Sequence, residues 1–219
     1  MKWLSLISLV LAFSVTAAAA KEFPVQARLF AGSASIDPSD LNTEMKAQDL
    51  KTFDTLFKLG VEITYPAWKF TDVGIRYSHN NAEKEDSDKA TDYKASISQE
   101  TVVLLARFPI VKLSWFRFDV FGAAGGSTTA FTIKTASQNG ELTKRESNDW
   151  WLSPVFAYGG SVAFGYKWIF LAIESGFESN KVDGFKRVGT INDNVQAIDL
   201  SGQYFLVSLM FDGIPGQRK

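Results

Sequence analysis

Apolar and polar residues alternate with a period of two along most of the chain after residue 20. This period is typical of β-strands that have one apolar and one polar face. Each segment is longer than the usual strand of about five or six residues, and long enough to cross a bilayer at a tilt, which takes about nine to eleven. The eight segments are 23–35, 52–65, 70–80, 95–108, 115–127, 150–166, 168–180 and 197–211.

The fourth segment, 95–108, alternates less clearly than the others. Residues 102–106 are apolar at every position, so the pattern leaves open which of them face the interior of a sheet. The other seven segments have a defined phase.

The connections between segments alternate in length. Short links join segments two to three, four to five and six to seven, whereas the remaining links are long and polar. Short turns at one end and long loops at the other are typical of outer-membrane barrels, whose short turns lie in the periplasm. We therefore predict an all-β, eight-stranded antiparallel transmembrane β-barrel. The short links are 66–69, 109–114 and 167–168, and the long links are 36–51, 81–94, 128–149 and 181–196.

Large aromatic residues gather beside the short links. Aromatic side chains at one level of a barrel form the girdle that lies at a membrane interface. The alternative is a soluble, lipocalin-like barrel, but the charged residues on its inner face would suit an apolar ligand poorly. We predict a periplasmic aromatic girdle made of Tyr65, Trp68, Phe108, Trp115, Tyr166, Trp168 and Phe211.

The first twenty residues have the features of a secretory signal peptide. Lys2 precedes a run over 3–15 that is apolar apart from three serines, and Ala18 and Ala20 have the small-residue spacing of a cleavage site. The run is shorter than the ~20 residues of a membrane-spanning helix. We expect residues 1–20 to be removed, leaving the barrel in 21–219, with its last strand ending near 211 and a short periplasmic tail over 212–219.

Composition excludes several classes of function. The chain has no cysteine, so lipid attachment, disulfides and thiolate metal sites are excluded. The net charge of −1 offers no electrostatic footprint for nucleic acid. With a single histidine and no cysteine, we expect neither a metal cluster nor a cofactor.

Charged residues recur on the polar faces of the segments. The interior of an eight-stranded barrel is just wide enough for side chains to fill, and a lone buried charge is very costly. The charges are therefore expected to pair and to plug the lumen, with a narrow path for ions or solutes as the alternative. The predicted lumen network comprises Arg28, Lys58, Glu62, Arg76, Arg117, Asp119 and Glu174.

The only histidine, His79, follows Ser78 at the outer end of the third segment. Neighbouring residues of a strand point to opposite faces, so these two cannot form a catalytic pair. We therefore predict no catalytic residues and expect His79 to be a rim or loop residue.

With these features, the chain resembles the small eight-stranded outer-membrane proteins of the OmpA-transmembrane-domain, OmpX and OmpW type, over nearly the whole mature sequence. The resemblance is one of pattern. It implies a Gram-negative-type cell outer membrane, contact with outer-membrane lipid and lipopolysaccharide, and insertion by the barrel-assembly machinery. Such proteins usually end on an aromatic residue; Phe211 fits, but residues 212–219 follow it.

The sequence favours a non-enzymatic role in envelope structure or surface interaction, through a plugged barrel with long extracellular loops. Its extracellular ligand is not identified. One alternative is a narrow, porin-like channel for ions or small apolar solutes. Another is an enzyme that modifies lipid A, which a serine or an acid brought beside His79 by the fold would favour.

Overall fold

A closed barrel of eight antiparallel strands forms the body of the molecule. The computed structural model describes residues 25–47, 51–86, 93–135, 140–147, 153–183, 186–189 and 197–213. The predicted signal peptide and most of the predicted tail lie outside these residues. The barrel strands are β1 (Gln26–Ser35), β2 (Thr55–Trp68), β3 (Thr71–Asp86), β4 (Tyr93–Lys112), β5 (Phe116–Thr135), β7 (Pro154–Tyr166), β8 (Ile169–Val182) and β11 (Gly202–Asp212). Three shorter strands complete the numbering, namely β6 (Gly140–Ser147), β9 (Lys186–Gly189) and β10 (Ile198–Asp199).

Pairing between the first and last strands closes the sheet. Each barrel strand pairs with the next along the chain, and β11 returns to β1 from Gln26↔Asp212 to Ala34↔Tyr204. Because every strand of the ring has two neighbours, the barrel leaves no unpaired edge. The predicted fold class is confirmed.

The phase of β4, which the sequence left open, is settled by burial. Val103, Leu105 and Arg107 are buried in the interior, whereas Leu104 and Phe108 are exposed on the outer face. The inward direction of Arg107 adds a charge to the lumen that the pattern did not reveal.

At one end of the barrel, which we call the short-turn end, three tight turns join the strands, as predicted. At the opposite, long-loop end the strands run further than predicted. β3 continues to residue 86 and β4 begins at residue 93, so most of the predicted loop 81–94 is strand. The three shorter strands, β6, β9 and β10, lie at this end, mostly within the other predicted loops.

Two features explain the extension of β3 and β4. Buried Ala82, Ala95 and Ile97 continue the inward apolar face, and on the outer face the Lys94 ammonium contacts the carboxylates of Glu83 and Glu85 across the strands. Opposite charges on neighbouring strands stabilise a sheet. The polar composition of 81–94 therefore did not indicate the regular pairing of β3 with β4 that the structure shows.

A second cross-strand contact ties β3 to the segment before β2. Lys84 Nζ lies 3.1 Å from Asp54 Oδ1. The hydrogen bond from Lys84, together with its positive charge, lowers the pKa of the Asp54 carboxyl. The Asp54 side chain is 75% exposed and the Lys84 side chain is 30% exposed, so solvent screens the pair and it contributes little to stability.

A short helix, α1 (Ser39–Ala47), covers the long-loop end. Leu41 and Met45 are four residues apart, so they share one helix face, and both are almost fully buried. The side chain of Asn42 fixes the helix to the chain that returns to the barrel, because it exchanges hydrogen bonds of 2.7 and 2.8 Å with the backbone of Phe53.

Around the buried face of α1 lies a layer that we call the apolar cap. The sequence predicted a polar loop over 36–51, and it predicted neither the helix nor the apolar cap. No helix among the described residues is long and apolar enough to span a bilayer. The cap consists of Ile36, Leu41, Met45, Phe53, Leu56, Ile97, Phe131, Val182, Ile198 and Leu200.

The tightest turn, 167–168, contains the one non-glycine residue with positive φ in the described part of the chain, Lys167, at 58°. This conformation costs an L-residue with a Cβ roughly 1–2 kcal/mol. We expect Lys167→Gly to raise the free energy of unfolding by about 1 kcal/mol, measured by urea titration of the refolded barrel. The Lys167 ammonium lies 5.2 Å from the Tyr166 ring centroid. An unchanged or lowered free energy would show that this cation–π contact matters more than the backbone.

Candidate functional site

Four guanidinium groups and four carboxylates form a single ion-pair network inside the barrel. Arg107 and Arg76 each bridge Glu62 and Glu174 at its centre. Arg107 Nε lies 2.6 Å from Glu62 Oε1, and its Nη2 lies 2.6 Å from Glu174 Oε2. Arg76 Nη2 lies 2.6 Å from Glu62 Oε2 and 2.7 Å from Glu174 Oε1. Each carboxylate therefore accepts from two guanidinium groups, the strongest class of protein hydrogen bond.

The network continues towards the short-turn end. Arg117 contacts Asp119 and Asp72, each at 2.5 Å. Arg28 joins this part to the centre, because it lies 2.8 Å from Asp119 Oδ2 and 3.6 Å from Glu62 Oε1. The four positive and four negative charges balance, so the buried cluster is neutral.

Aromatic rings enclose the centre of the network. The Arg76 guanidinium lies 5.1 Å from the Phe30 ring centroid and 5.3 Å from that of Phe121. The Arg107 guanidinium lies 4.7 Å from the Phe121 ring, within the range of cation–π attraction. The Tyr204 hydroxyl donates to Glu174 Oε1 at 3.2 Å. These rings separate the charges from the cap above them.

The structure brings six of the seven predicted lumen residues together in this network. The seventh, Lys58, is also buried in the lumen but forms a separate pair, with its Nζ 2.9 Å from Glu178 Oε1. Sequence reasoning missed two members, Arg107 and Asp72. Asp72 alternates with Val73 on β3 and had a visible signal, whereas Arg107 follows the stretch of undefined phase. The role of the network as a plug stays a prediction.

The predicted girdle aromatics lie near the short-turn end. The rings are not in the core: five of them are among the exposed large side chains, and the other two, Trp168 and Phe211, are partly exposed and stack on each other with centroids 5.9 Å apart. Their contact with a membrane interface stays a prediction. The five exposed aromatics are Tyr65, Trp68, Phe108, Trp115 and Tyr166.

Between this end and the long-loop end, the outer face of the barrel is an exposed apolar belt. Leu104 is 68% exposed, and the interior carries charges, so the usual distribution of a water-soluble protein is inverted. The belt includes Leu29, Leu59, Ile75, Leu104, Leu171 and Leu209.

His79 has an acidic partner that the sequence did not reveal. Its Nδ1 lies 2.9 Å from Glu100 Oε1, on β4, and the Tyr77 hydroxyl donates to the second oxygen of Glu100. Ser78 is buried on the opposite face, as expected. The residues are brought together by register, because His79 and Glu100 are direct partners in the β3–β4 ladder. We call Tyr77, His79 and Glu100 the outer polar cluster.

The outer polar cluster has part of the chemistry of a catalytic site. A carboxylate that holds Nδ1 of an imidazole orients the ring and leaves Nε2 for proton transfer. Among the described residues, no serine or threonine hydroxyl is hydrogen-bonded to His79, and the Tyr77 hydroxyl is engaged with Glu100. No group of three or more potential metal ligands occurs in the part of the chain that the structure describes.

No family model matches the chain, and no curated protein matches it. Among solved structures it is similar to Ail, the attachment invasion locus protein of Yersinia pestis, in complex with sucrose octasulfate (10% identity, 87% of this chain, 100% of that chain, TM-score 0.48). It is also similar to Acinetobacter baumannii CarO (11% identity, 88% of this chain, 99% of that chain, TM-score 0.44). A third similar structure is a major outer membrane protein from Thermus thermophilus (9% identity, 85% of this chain, 98% of that chain, TM-score 0.47). None of these likenesses reaches a TM-score of 0.5, so the functional assignment depends on the chain's own side chains.

Proposed function

We propose that the chain is a non-enzymatic outer-membrane β-barrel with a sealed lumen, serving envelope structure or surface interaction through its long-loop end. The observation that carries this proposal is the combination of an exposed apolar belt outside with a neutral ion-pair network inside. Export by the signal peptide and insertion by the barrel-assembly machinery belong to the same proposal.

The apolar belt supports the membrane location. In water, so many exposed large apolar side chains on one continuous surface would be an aggregation hazard. In a bilayer they face hydrocarbon, and closure of the barrel satisfies every strand's backbone internally. The aromatic residues at the short-turn end then lie where an interfacial girdle belongs.

Three layers of side chains support the sealed lumen. The apolar cap closes the long-loop end, and the ion network fills the centre. Towards the short-turn end, Ala163, Phe170, Ala172 and Met210 form a second apolar cluster. An ion crossing the barrel would have to displace all three layers, and separating the central pairs would leave buried charges unpaired.

Ion conductance across a planar bilayer tests the sealed lumen. We expect the refolded mature barrel, verified by its altered migration on unboiled gels, to give no discrete conductance steps. A known porin in the same bilayers serves as the positive control. Reproducible steps of constant size would contradict the proposal and support the narrow-channel alternative.

A second candidate function, modification of membrane lipid, is favoured by one observation, the acid placed beside His79. In such a reaction the His79 imidazole would take a proton from water as the water oxygen attacks an ester carbon, and would return it to the departing alcohol. Release of fatty acid from lipid vesicles by the intact chain, and its loss in His79→Asn, would support this candidate.

A further inference from the structure

We propose that the outer face of β3, β4 and β5 binds one outer-leaflet lipid, whose ammonium head group contacts the outer polar cluster while an acyl chain lies in the groove beside it. This site goes beyond the proposed envelope role. It depends on the barrel lying in the membrane, but not on whether the lumen conducts.

The polar end of the site faces outward from the barrel wall. Tyr77 and His79 alternate with buried Ser78 and Asn80, so both point away from the lumen. Glu100 likewise lies between two buried residues of β4. The side chains of His79 and Glu100 are 32% and 40% exposed. Such groups are partly accessible to a molecule lying against the outer wall.

The cluster lies where the outer face changes from apolar to polar. Towards the short-turn end, the next outward residues are Ile75 on β3 and Val102 and then Leu104 on β4. Towards the long-loop end, the next are Asn81 and Ser98, which are direct partners in the ladder. The cluster is therefore at the level where the head group of an outer-leaflet lipid meets its acyl chains.

An apolar groove of about 870 Å³ begins next to the cluster. Its lining includes Ile75, which is two residues from Tyr77 on the same face of β3. It also includes Leu104, which is four residues from Glu100 on the same face of β4. Since a strand rises about 3.3 Å per residue, the groove starts roughly 7 Å from the cluster on β3. The outward lining residues of the groove include Ile63, Ile75, Leu104, Ala106, Gly122 and Ala124, and the lining continues to Tyr65 and Val73 towards the short-turn end.

Small residues on two neighbouring strands form the floor of the groove. Ala106 of β4 pairs directly with Gly122 of β5, and a Cβ added at Gly122 would meet no atom within 4 Å. Larger side chains, Leu104 and Phe108, flank Ala106 on the same face and are exposed. A hydrocarbon chain is the occupant that this placement favours, because the surface faces the bilayer.

The chemistry of the cluster selects the head group. Glu100 is negatively charged and accepts hydrogen bonds, so it favours a donor and opposes a phosphate group placed directly against it. If His79 donates Nδ1–H to Glu100, its Nε2 is left as a second acceptor. Two acceptors, one of which carries a negative charge, fit an ammonium, because it brings both the opposite charge and several N–H donors. The head group that fits is therefore that of phosphatidylethanolamine.

Native mass spectrometry of the refolded mature barrel tests this site. The barrel in detergent is mixed with phosphatidylethanolamine, phosphatidylcholine of the same acyl chains, or lipid A, and retained lipid is counted. We expect one molecule of phosphatidylethanolamine, the donor lipid, per barrel, and roughly tenfold weaker retention of phosphatidylcholine, whose trimethylammonium has no N–H. A preference for lipid A over phosphatidylethanolamine would show that an ammonium is not the group recognised and would overturn the proposal.

Variants separate the two halves of the site. Glu100→Gln should abolish the preference for the donor lipid, and Gly122→Leu, which fills the groove, should weaken retention of every lipid. The matched control is Gly160→Leu, an outward glycine of β7 with only ordinary contacts and outside the groove lining, which should leave retention unchanged. All variants must first show the folded migration on unboiled gels.

Two further results would overturn the proposal. Equal retention of phosphatidylethanolamine, phosphatidylcholine and lipid A by the unaltered barrel would remove the head-group site. Equal effects of Gly122→Leu and Gly160→Leu would remove the groove. Neither result would bear on conductance, so a failure here is distinguishable from a failure of the sealed-lumen proposal.

Discussion

Arg107→Ala is expected to lower the free energy of unfolding of the barrel by about 3–5 kcal/mol, the usual cost of removing one partner of a buried ion pair. Arg107 is fully buried, and its guanidinium group holds both Glu62 and Glu174. Its loss leaves each buried carboxylate dependent mainly on Arg76. Urea titration of the unaltered and variant barrels, refolded in the same lipid, measures the difference.

The control for this prediction is Lys84→Ala, which removes a solvent-accessible ion pair with Asp54. We expect no measurable change there, because exposed pairs are weak. If Arg107→Ala also left stability within about 1 kcal/mol of the unaltered barrel, water would have to replace the guanidinium. The lumen would then be hydrated, and the proposal of a sealed interior would fail.

Gly60→Val should be the second strongly destabilising change. Gly60 lies on the inward face of β2, and a Cβ there would collide with the carbonyl oxygen of Tyr77 and with the ring of Phe30. That ring covers Arg76, so it cannot move without opening the ion network. We expect a loss of about 3 kcal/mol, at the upper end of the usual cost of overpacking.

Gly122→Val is the matched control, since it adds the same atoms to the same type of strand but into open space. It should be neutral within about 0.5 kcal/mol. Unfolding monitored by tryptophan fluorescence would compare the pair. Similar losses in both variants would show that the backbone freedom of glycine, and not the space beneath Phe30, is what the barrel requires.

The fold could be predicted because a barrel wall is specified by local alternation. Residues such as Phe57, Leu59 and Val61 indicate the two faces without reference to any distant part of the chain. Arg107 shows the limit of this information. It follows a stretch that is apolar at every position, because the outward side chains belong to the apolar belt and inward Val103 and Leu105 are buried in the lumen. Only the pairing of β4 with its neighbours defines which residues of this stretch point inward.

The cap and the outer polar cluster could not be predicted, for different reasons. Leu41 and Met45 did carry a helical spacing, but one pair of apolar residues is a weak signal in a segment rich in polar residues. Glu100 meets His79 only through the register of β3 and β4. That register depends on where the connecting loop begins. Because residues 81–94 are mostly polar and charged, the sequence predicted a loop where β3 and β4 continue as strands.

The ion network also has a consequence for the assembly of the barrel. Its ionised members come from β1, β2, β3, β4, β5 and β8, while Ser161 of β7 and Tyr204 of β11 add hydrogen bonds, so every barrel strand contributes. When strands are added in chain order, the arrival of β4 brings an unbalanced positive charge, which persists until Glu174 arrives with β8. A half-built sheet therefore holds a guanidinium group without its counter-ion. The addition of β8 relieves that imbalance before β11 closes the ring, so we expect partly built sheets that lack β8 to be disfavoured.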